Sequence, residues 1–336
     1  MRSTYATVTV AFCVAGCGGR IVSIGSDGGT VAPASATCTE SDCASSVVVL
    51  ATGDIGFAAP VLGELFVGGG YVYVGTKGAI ARVPVSGGSL ETFTSTSDQV
   101  ATILADDHDV YWTVLPNKNS SAIFRLSQTG GAPTSLGAPP VDTPAIFLDR
   151  TTLYWKNDTV MLNALPLTEG SATTMPFSRD ALSPMVLVDG HMLRADCTGI
   201  DVPSTGTVVA GYGMVADSSH CYELHGDCGQ PWACGDVVSI PMGGGLETVR
   251  VKASSPSSQE FVTARMMIDE LGFYLLKYDD RPHDAMPTVL LRVPFDGGSP
   301  VRLTDDAYVV AYAVTANRIY WLTGSNDLKS MPKYKP

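Results

Sequence analysis

One unit recurs along the chain and constrains everything else. A short apolar strand leads into a turn that often holds Asp, then into an apolar-Tyr-Trp strand and a loop. A strand ending in Val-Pro or a close variant follows, then Gly-Gly and a Thr/Leu strand. The second strand of the unit appears as Val72-Tyr73-Val74, Val110-Tyr111-Trp112-Thr113, Leu153-Tyr154-Trp155, Met192-Leu193-Arg194, Cys221-Tyr222-Glu223, Phe273-Tyr274-Leu275 and Ile319-Tyr320-Trp321. The third keeps the same beat at Val83-Pro84, Leu126-Ser127, Leu165-Pro166, Val202-Pro203, Ile240-Pro241, Val293-Pro294 and Met331-Pro332, with spacings of 43, 39, 37, 38, 53 and 38 residues. A unit of about 40 residues with four short strands cannot bury both faces alone, so neighbouring units must share cores, which is the logic of a propeller blade.

Composition agrees with strands and turns. Glycine (35) and proline (21) are frequent while charged residues make up only 16%, which leaves few helix-forming Glu, Lys and Arg. Proline lacks a backbone donor and suits strand ends, and the Gly-Gly pairs after it suit the turn to an outer strand. The expected fold is all-β, a β-propeller of seven four-stranded blades, or six if the short unit near Pro184 to Gly211 does not stand as a blade. The last unit stops at Lys333 to Pro336 without an outer strand, whereas Ser46 to Ala51 precedes the first unit without inner partners. Residues 46–52 are therefore expected to close the seventh blade and remove the open edge. The formal charge of −12 and the lack of a basic block argue against nucleic acid as a partner.

The motifs Tyr111-Trp112-Thr113 and Tyr154-Trp155-Lys156, with their Gly-Gly turns, resemble the Tyr-Trp-Thr-Asp propeller repeat of the low-density-lipoprotein receptor class. They are more similar still to the propeller lipoproteins of many bacteria. The resemblance covers roughly residues 57–336 and implies the fold. The fourth Asp of the receptor motif is absent here, and the resemblance carries over no catalytic residue.

At the N-terminus, Arg2 precedes a moderately apolar stretch from Thr4 to Gly16, too short to span a bilayer that requires about 20 helical residues. Val14-Ala15-Gly16-Cys17 resembles the lipobox of bacterial lipoproteins, in which the cysteine is lipidated and becomes the new N-terminus. The expected organisation is a signal peptide over 1–16, lipidated Cys17 with a Gly/Ser/Thr-rich tether over 17–45, and the propeller over 46–336. Gly18 rather than Asp after the cysteine implies, by that resemblance, the outer membrane in a Gram-negative cell.

Six cysteines remain once Cys13 leaves with the signal and Cys17 carries lipid. An even remainder in an exported chain points to disulfides. Proximity favours Cys38–Cys43 and Cys228–Cys234, which leaves Cys197–Cys221 to join neighbouring segments. Zinc is the weaker reading of these cysteines, because their spacings are wide.

Two loops between second and third strands are long, Leu224 to Asp236 and Lys277 to Thr288, and they fall on neighbouring blades. The first holds His225, Asp227 and Trp232 with Cys228 and Cys234. The second holds Tyr278, Asp279, Asp280, Arg281, His283 and Asp284. These residues form the candidate binding site, expected to take an envelope protein or glycan, on a monomeric chain that meets the membrane only through its lipid. No cofactor is expected and no metal ligand is assigned. Asp279, Asp280 and Asp284 offer hard oxygens that would suit bound calcium, and the histidines a transition metal, but their spacing matches no established loop. His108, His191 and His220 fall near turns after inner strands, on the opposite face. The alternative is a propeller lyase or hydrolase using His225 and His283 as acid and base, although no Gly-x-Ser-x-Gly elbow, phosphate loop or His-Glu-x-x-His is present.

Overall fold

The structure, a computed structural model, describes residues 47–52, 64–115, 122–137, 146–149, 151–156, 161–167, 171–177, 185–188, 191–194, 196–202, 214–225, 233–252, 262–263, 266–278, 288–295, 298–306 and 308–333. Among them there is no helix; antiparallel strands build seven consecutive blades. Blade one comprises Glu64–Gly68, Tyr71–Gly75, Lys77–Pro84 and the first part of Glu91–Ala105. Blade two takes the rest of that strand with Asp109–Leu115, Ala122–Ser127 and Thr134–Gly137. Blade three is Ile146–Leu148, Thr152–Lys156, Met161–Pro166 and Thr173–Pro176. Blade four has three described strands, Met185–Val188, His191–Arg194 and Gly199–Asp201. Blade five is Met214–Ala216, His220–His225, Asp236–Pro241 and Thr248–Val251, and blade six is Met267–Asp269, Gly272–Tyr278, Thr288–Val293 and Val301–Arg302. Blade seven is Val309–Val314, Arg318–Thr323 and Leu328–Pro332, completed by Val48–Ala51 from the other end of the chain.

The closing strand pairs Val48 with Ser330 and Val49 with Lys329, as the unpaired ends of the repeat demanded. Its apolar residues then enter a core shared by the first and last blades. Leu50 and Ala51 pack with Leu65, Val72, Val74 and Val83 of blade one and with Val310, Tyr320, Leu322 and Leu328 of blade seven. Six further clusters among the described residues occupy the six remaining interfaces between consecutive blades, so the ring is continuous. Period-two alternation explains this placement, since each sheet offers one apolar face to each neighbour. Tyr111 faces blade three while Trp112 faces blade one, for example.

The punctuation also lands where its chemistry requires. Pro84, Pro166, Pro241 and Pro332 each occupy the last position of a third strand, opposite the first residue of the second strand. Gly243 and Gly244 follow Pro241 at φ values of 86° and 92°, a left-handed backbone that a Cβ would strain.

The repeated Asp in the first turn has a specific structural task. In four blades its carboxylate accepts the hydroxyl of the Tyr five residues on: Tyr111 to Asp106 (3.1 Å), Tyr154 to Asp149 (3.2 Å), Tyr222 to Asp217 (2.7 Å) and Tyr274 to Asp269 (2.9 Å). The other carboxylate oxygen accepts backbone N–H groups of the turn, as Asp149 does from Thr151 (2.6 Å) and Thr152 (2.7 Å). The buried phenol and the tight turn thereby satisfy one another. Burial and the Asp149 carboxylate push the Tyr154 hydroxyl up to about 12, so it remains a donor at neutral pH.

Blades four and five are also linked covalently. Cys197 and Cys221 form a disulfide with Cα atoms 5.6 Å apart, the pairing left over by the cysteine count. Cys38, Cys43 and Cys228 lie outside the described residues, as do Cys17 and everything before residue 47.

Candidate functional site on the rim of blade five

Strand His220–His225 of blade five shows how the site arises from strand periodicity. Tyr222 and Leu224 enter the core shared with Phe273 and Leu275 of blade six, whereas Cys221 faces the core shared with blade four. Glu223 and His225 fall on the Cys221 face by alternation, where the apolar surface ends. His225 is the last residue before the long 224–236 segment leaves the sheet.

Glu247 comes to this edge from the turn that precedes Thr248–Val251. His225 Nδ1 and Glu247 Oε2 lie 3.0 Å apart, with side chains 58% and 47% exposed. Glu223 is half-buried, and its carboxylate, the His225 ring and the Glu247 carboxylate offer atoms that all lie within 4.8 Å of one another. Burial raises the Glu223 carboxyl to about 7; the nearby His225 opposes the shift, and the Glu247 and Asp196 carboxylates reinforce it. Asp196 behaves oppositely. Burial would raise it, but the Thr198 hydroxyl (2.6 Å) and backbone N–H (2.9 Å), helped by Arg194, hold it below the usual carboxylate range. Burial and the Glu247 and Asp196 charges thus favour a proton on Glu223, while Asp196 stays ionised.

Chemically, an imidazole held through Nδ1 by a carboxylate leaves Nε2 free at solvent for proton transfer or for a ligand. Two carboxylates and one imidazole together also form a cation-binding set. Glu223 and Glu247 escaped the sequence reading. For Glu223 a signal existed, its place two residues before His225 on a strand whose intervening residues point inward. Glu247 follows a Gly-rich turn, and nothing local in the sequence indicates where that turn delivers it.

Of the other expected site residues, Asp227, Trp232, Asp279, Asp280, Arg281, His283 and Asp284 lie outside the described residues. Tyr278 ends the second strand of blade six, where its backbone pairs with Thr288. Cys234 belongs to a two-residue strand, Ala233–Cys234, that pairs with Val262–Thr263. The insertion in blade five is thus tied to the connection between blades five and six. His108 sits in a first turn, while His220 and His191 open the second strands of blades five and four, His191 lying 2.7 Å from Asp201.

Closed ring, four-stranded sheets and N-terminal closure together define the class of protein: a β-propeller. Comparison with solved structures places it among them. The chain is similar to a catalytically inactive variant of virginiamycin B lyase from Staphylococcus aureus, solved with quinupristin, at 10% identity and a TM-score of 0.55 over 83% of this chain and 98% of that one. It is similar to BamB from Moraxella catarrhalis at 16% identity and a TM-score of 0.50, covering 87% of this chain and 90% of BamB. PorZ, an essential bacterial surface component of the type-IX secretion system of Porphyromonas gingivalis, matches at 12% identity and a TM-score of 0.52 over 86% of this chain and 39% of its own. At such identities the likeness is one of fold. No protein-family profile and no characterised protein sequence matches the chain.

Proposed function

We propose that this chain is an exported propeller, anchored through lipid on Cys17, that binds an envelope protein or glycan through segments 224–236 and 277–288. The observation that carries the reading is the pairing of Ala233–Cys234 with Val262–Thr263. It ties an elaborated insertion to the neighbouring blade connection, beside the polar Glu223–His225–Glu247 edge, in a ring whose other described second-to-third connections are plainer. Fold-level likeness to the bacterial surface component PorZ supports an envelope setting, as does the lipobox-like Val14-Ala15-Gly16-Cys17.

The test is capture from envelope extract by the intact protein and by two variants in which one or the other segment is shortened to a tight turn. All three must first share one β-sheet spectrum. A partner held by the intact protein and lost from a variant is the expected result; equal retention by all three, or retention by none, would refute the reading. Cys17→Ala should move the protein from membrane to soluble fraction, and membrane retention would count against the anchor.

A second reading is a propeller lyase or hydrolase using His225 with His283. It draws support from the carboxylate-held imidazole of His225 and from fold-level likeness to virginiamycin B lyase. Turnover abolished by His225→Ala in a folded protein would favour it over the binding module.

A further inference from the structure

We propose that Glu223, His225 and Glu247 form a binding site for a divalent transition-metal ion of the zinc class, with one imidazole nitrogen and two carboxylate oxygens as ligands. The inference stands apart from the proposed function, because it needs neither an anchor nor a macromolecular partner.

Geometry is the first support. Around a tetrahedral ion with bonds of about 2 Å, ligand atoms lie roughly 3.3 Å from one another. His225 Nδ1 and Glu247 Oε2, 3.0 Å apart, already span such an edge. The whole set lies within 4.8 Å, so drawing Glu223 in requires a closure of at most ~1.5 Å, well within the swing of a glutamate side chain.

The second support is the negative charge gathered beside the imidazole. No hydrogen bond reaches the Glu223 carboxylate among the described residues, although the side chain is half-buried and lies close to the carboxylates of both Glu247 and Asp196. Carboxylates gathered around one imidazole repel unless a proton or a cation offsets their charge, and the Glu223 carboxylate, not sealed from solvent, can accept either. A divalent ion would take the place of that proton and join all three ligands. Glu223 is held on a paired strand, two residues from the Cys197–Cys221 disulfide, so one ligand is fixed before binding. His225 and Glu247 are exposed, which gives the ion an entry path and leaves a fourth position open to water.

Donor chemistry selects the ion. Calcium and magnesium favour oxygen-only shells of six or more ligands, whereas a nitrogen with two carboxylate oxygens suits zinc and its first-row neighbours.

The experiment uses the mature full-length protein, with free thiols alkylated and metal stripped by chelator, titrated with zinc chloride by calorimetry. One ion per chain is expected at micromolar affinity or better. His225→Ala and Glu247→Gln change exposed side chains and should each weaken binding at least tenfold while melting like the parent in chelator; Glu223→Gln should do the same. X-ray absorption of the zinc-loaded protein should show nitrogen and oxygen neighbours and no sulfur. A zinc affinity weaker than roughly 100 µM, or tight binding left intact by His225→Ala and Glu247→Gln, would overturn the site. Displacement of zinc by millimolar calcium would overturn the assignment to a transition metal.

Discussion

Shortening the chain so that it begins after Thr52 should destabilise the entire ring, although the strand removed is only four residues long. Leu50 is 6% exposed and touches residues from both the first and the last blade, while its neighbour Val49 is 50% exposed. Leu50→Ala should therefore cost about 3 kcal/mol, the middle of the range for a buried leucine whose site cannot collapse, and Val49→Ala under ~0.5 kcal/mol. With an unfolding entropy of about 2 cal/mol/K per residue, a domain of this size loses about one degree for each ~0.6 kcal/mol near its midpoint. Leu50→Ala should accordingly lower Tm by roughly 5 °C and Val49→Ala by less than about 1 °C. Removal of the whole strand adds the loss of its hydrogen-bond ladder and exposes Leu328 and Val310, so its effect should exceed that of Leu50→Ala. Scanning calorimetry of the three variants against a domain starting at Ser46 provides the comparison. The closure argument is refuted if the truncated protein melts with the parent, or if Leu50→Ala and Val49→Ala have the same effect.

Asp149 is buried and accepts from two backbone N–H groups and the Tyr154 hydroxyl, so Asp149→Ala should cost about 3 kcal/mol by orphaning them; urea unfolding reads the loss. Tyr154→Phe, which removes the 3.2 Å bond to Asp149 but keeps the carboxylate, should cost about 1 kcal/mol in the same assay. Burial alone would raise the Asp306 carboxyl, but hydrogen bonds from Lys329 (2.6 Å), Trp321 Nε1 (2.7 Å) and Thr304 (2.9 Å) hold it below its ordinary value. Its stabilisation is thus complete above the unfolded carboxylate value near 4 and is lost as pH falls through the lower folded value. Asp306→Asn should flatten that acid limb in Trp fluorescence melts, and an unchanged slope below pH 4 would contradict the assignment.

Most of the fold was legible because propeller blades repeat their chemistry. Tyr and Trp at the second strands marked the blade interfaces, Pro and Gly-Gly marked strand ends and turns, and the unmatched Ser46 to Ala51 announced the closure. Even the Cys197–Cys221 link was reached, as the pair left over once nearer cysteines were matched. The partnership of Asp106, Asp149, Asp217 and Asp269 with the following Tyr was only half visible: the Asp placed a turn, but the bond to the phenol is a matter of side-chain reach across a strand pair. The continuous strand Glu91–Ala105 also escaped, because the polar run Thr94 to Gln99 looks like a loop by composition. The absence of Gly and Pro after Gly88 was its one local sign. At the candidate site, His225 was legible, and Glu223 only through its place two residues earlier on the same strand. Glu247 joins it through the fold of a turn that the sequence presents as mere spacer.

That same strand has a mechanical meaning. Residues Glu91 and Thr92 pair with the third strand of blade one, and Gln99 to Ala105 pair with the second strand of blade two. Elsewhere among the described residues successive blades meet through side-chain cores, with the Cys197–Cys221 disulfide added between blades four and five, but blades one and two share one continuous strand and one seven-stranded sheet. Any breathing of the ring is therefore expected to spare this seam, because opening it would break strand pairing rather than only side-chain packing. Blades one and two should then act as a single stiff leaf, with compliance falling on the joints that have neither a shared strand nor a disulfide.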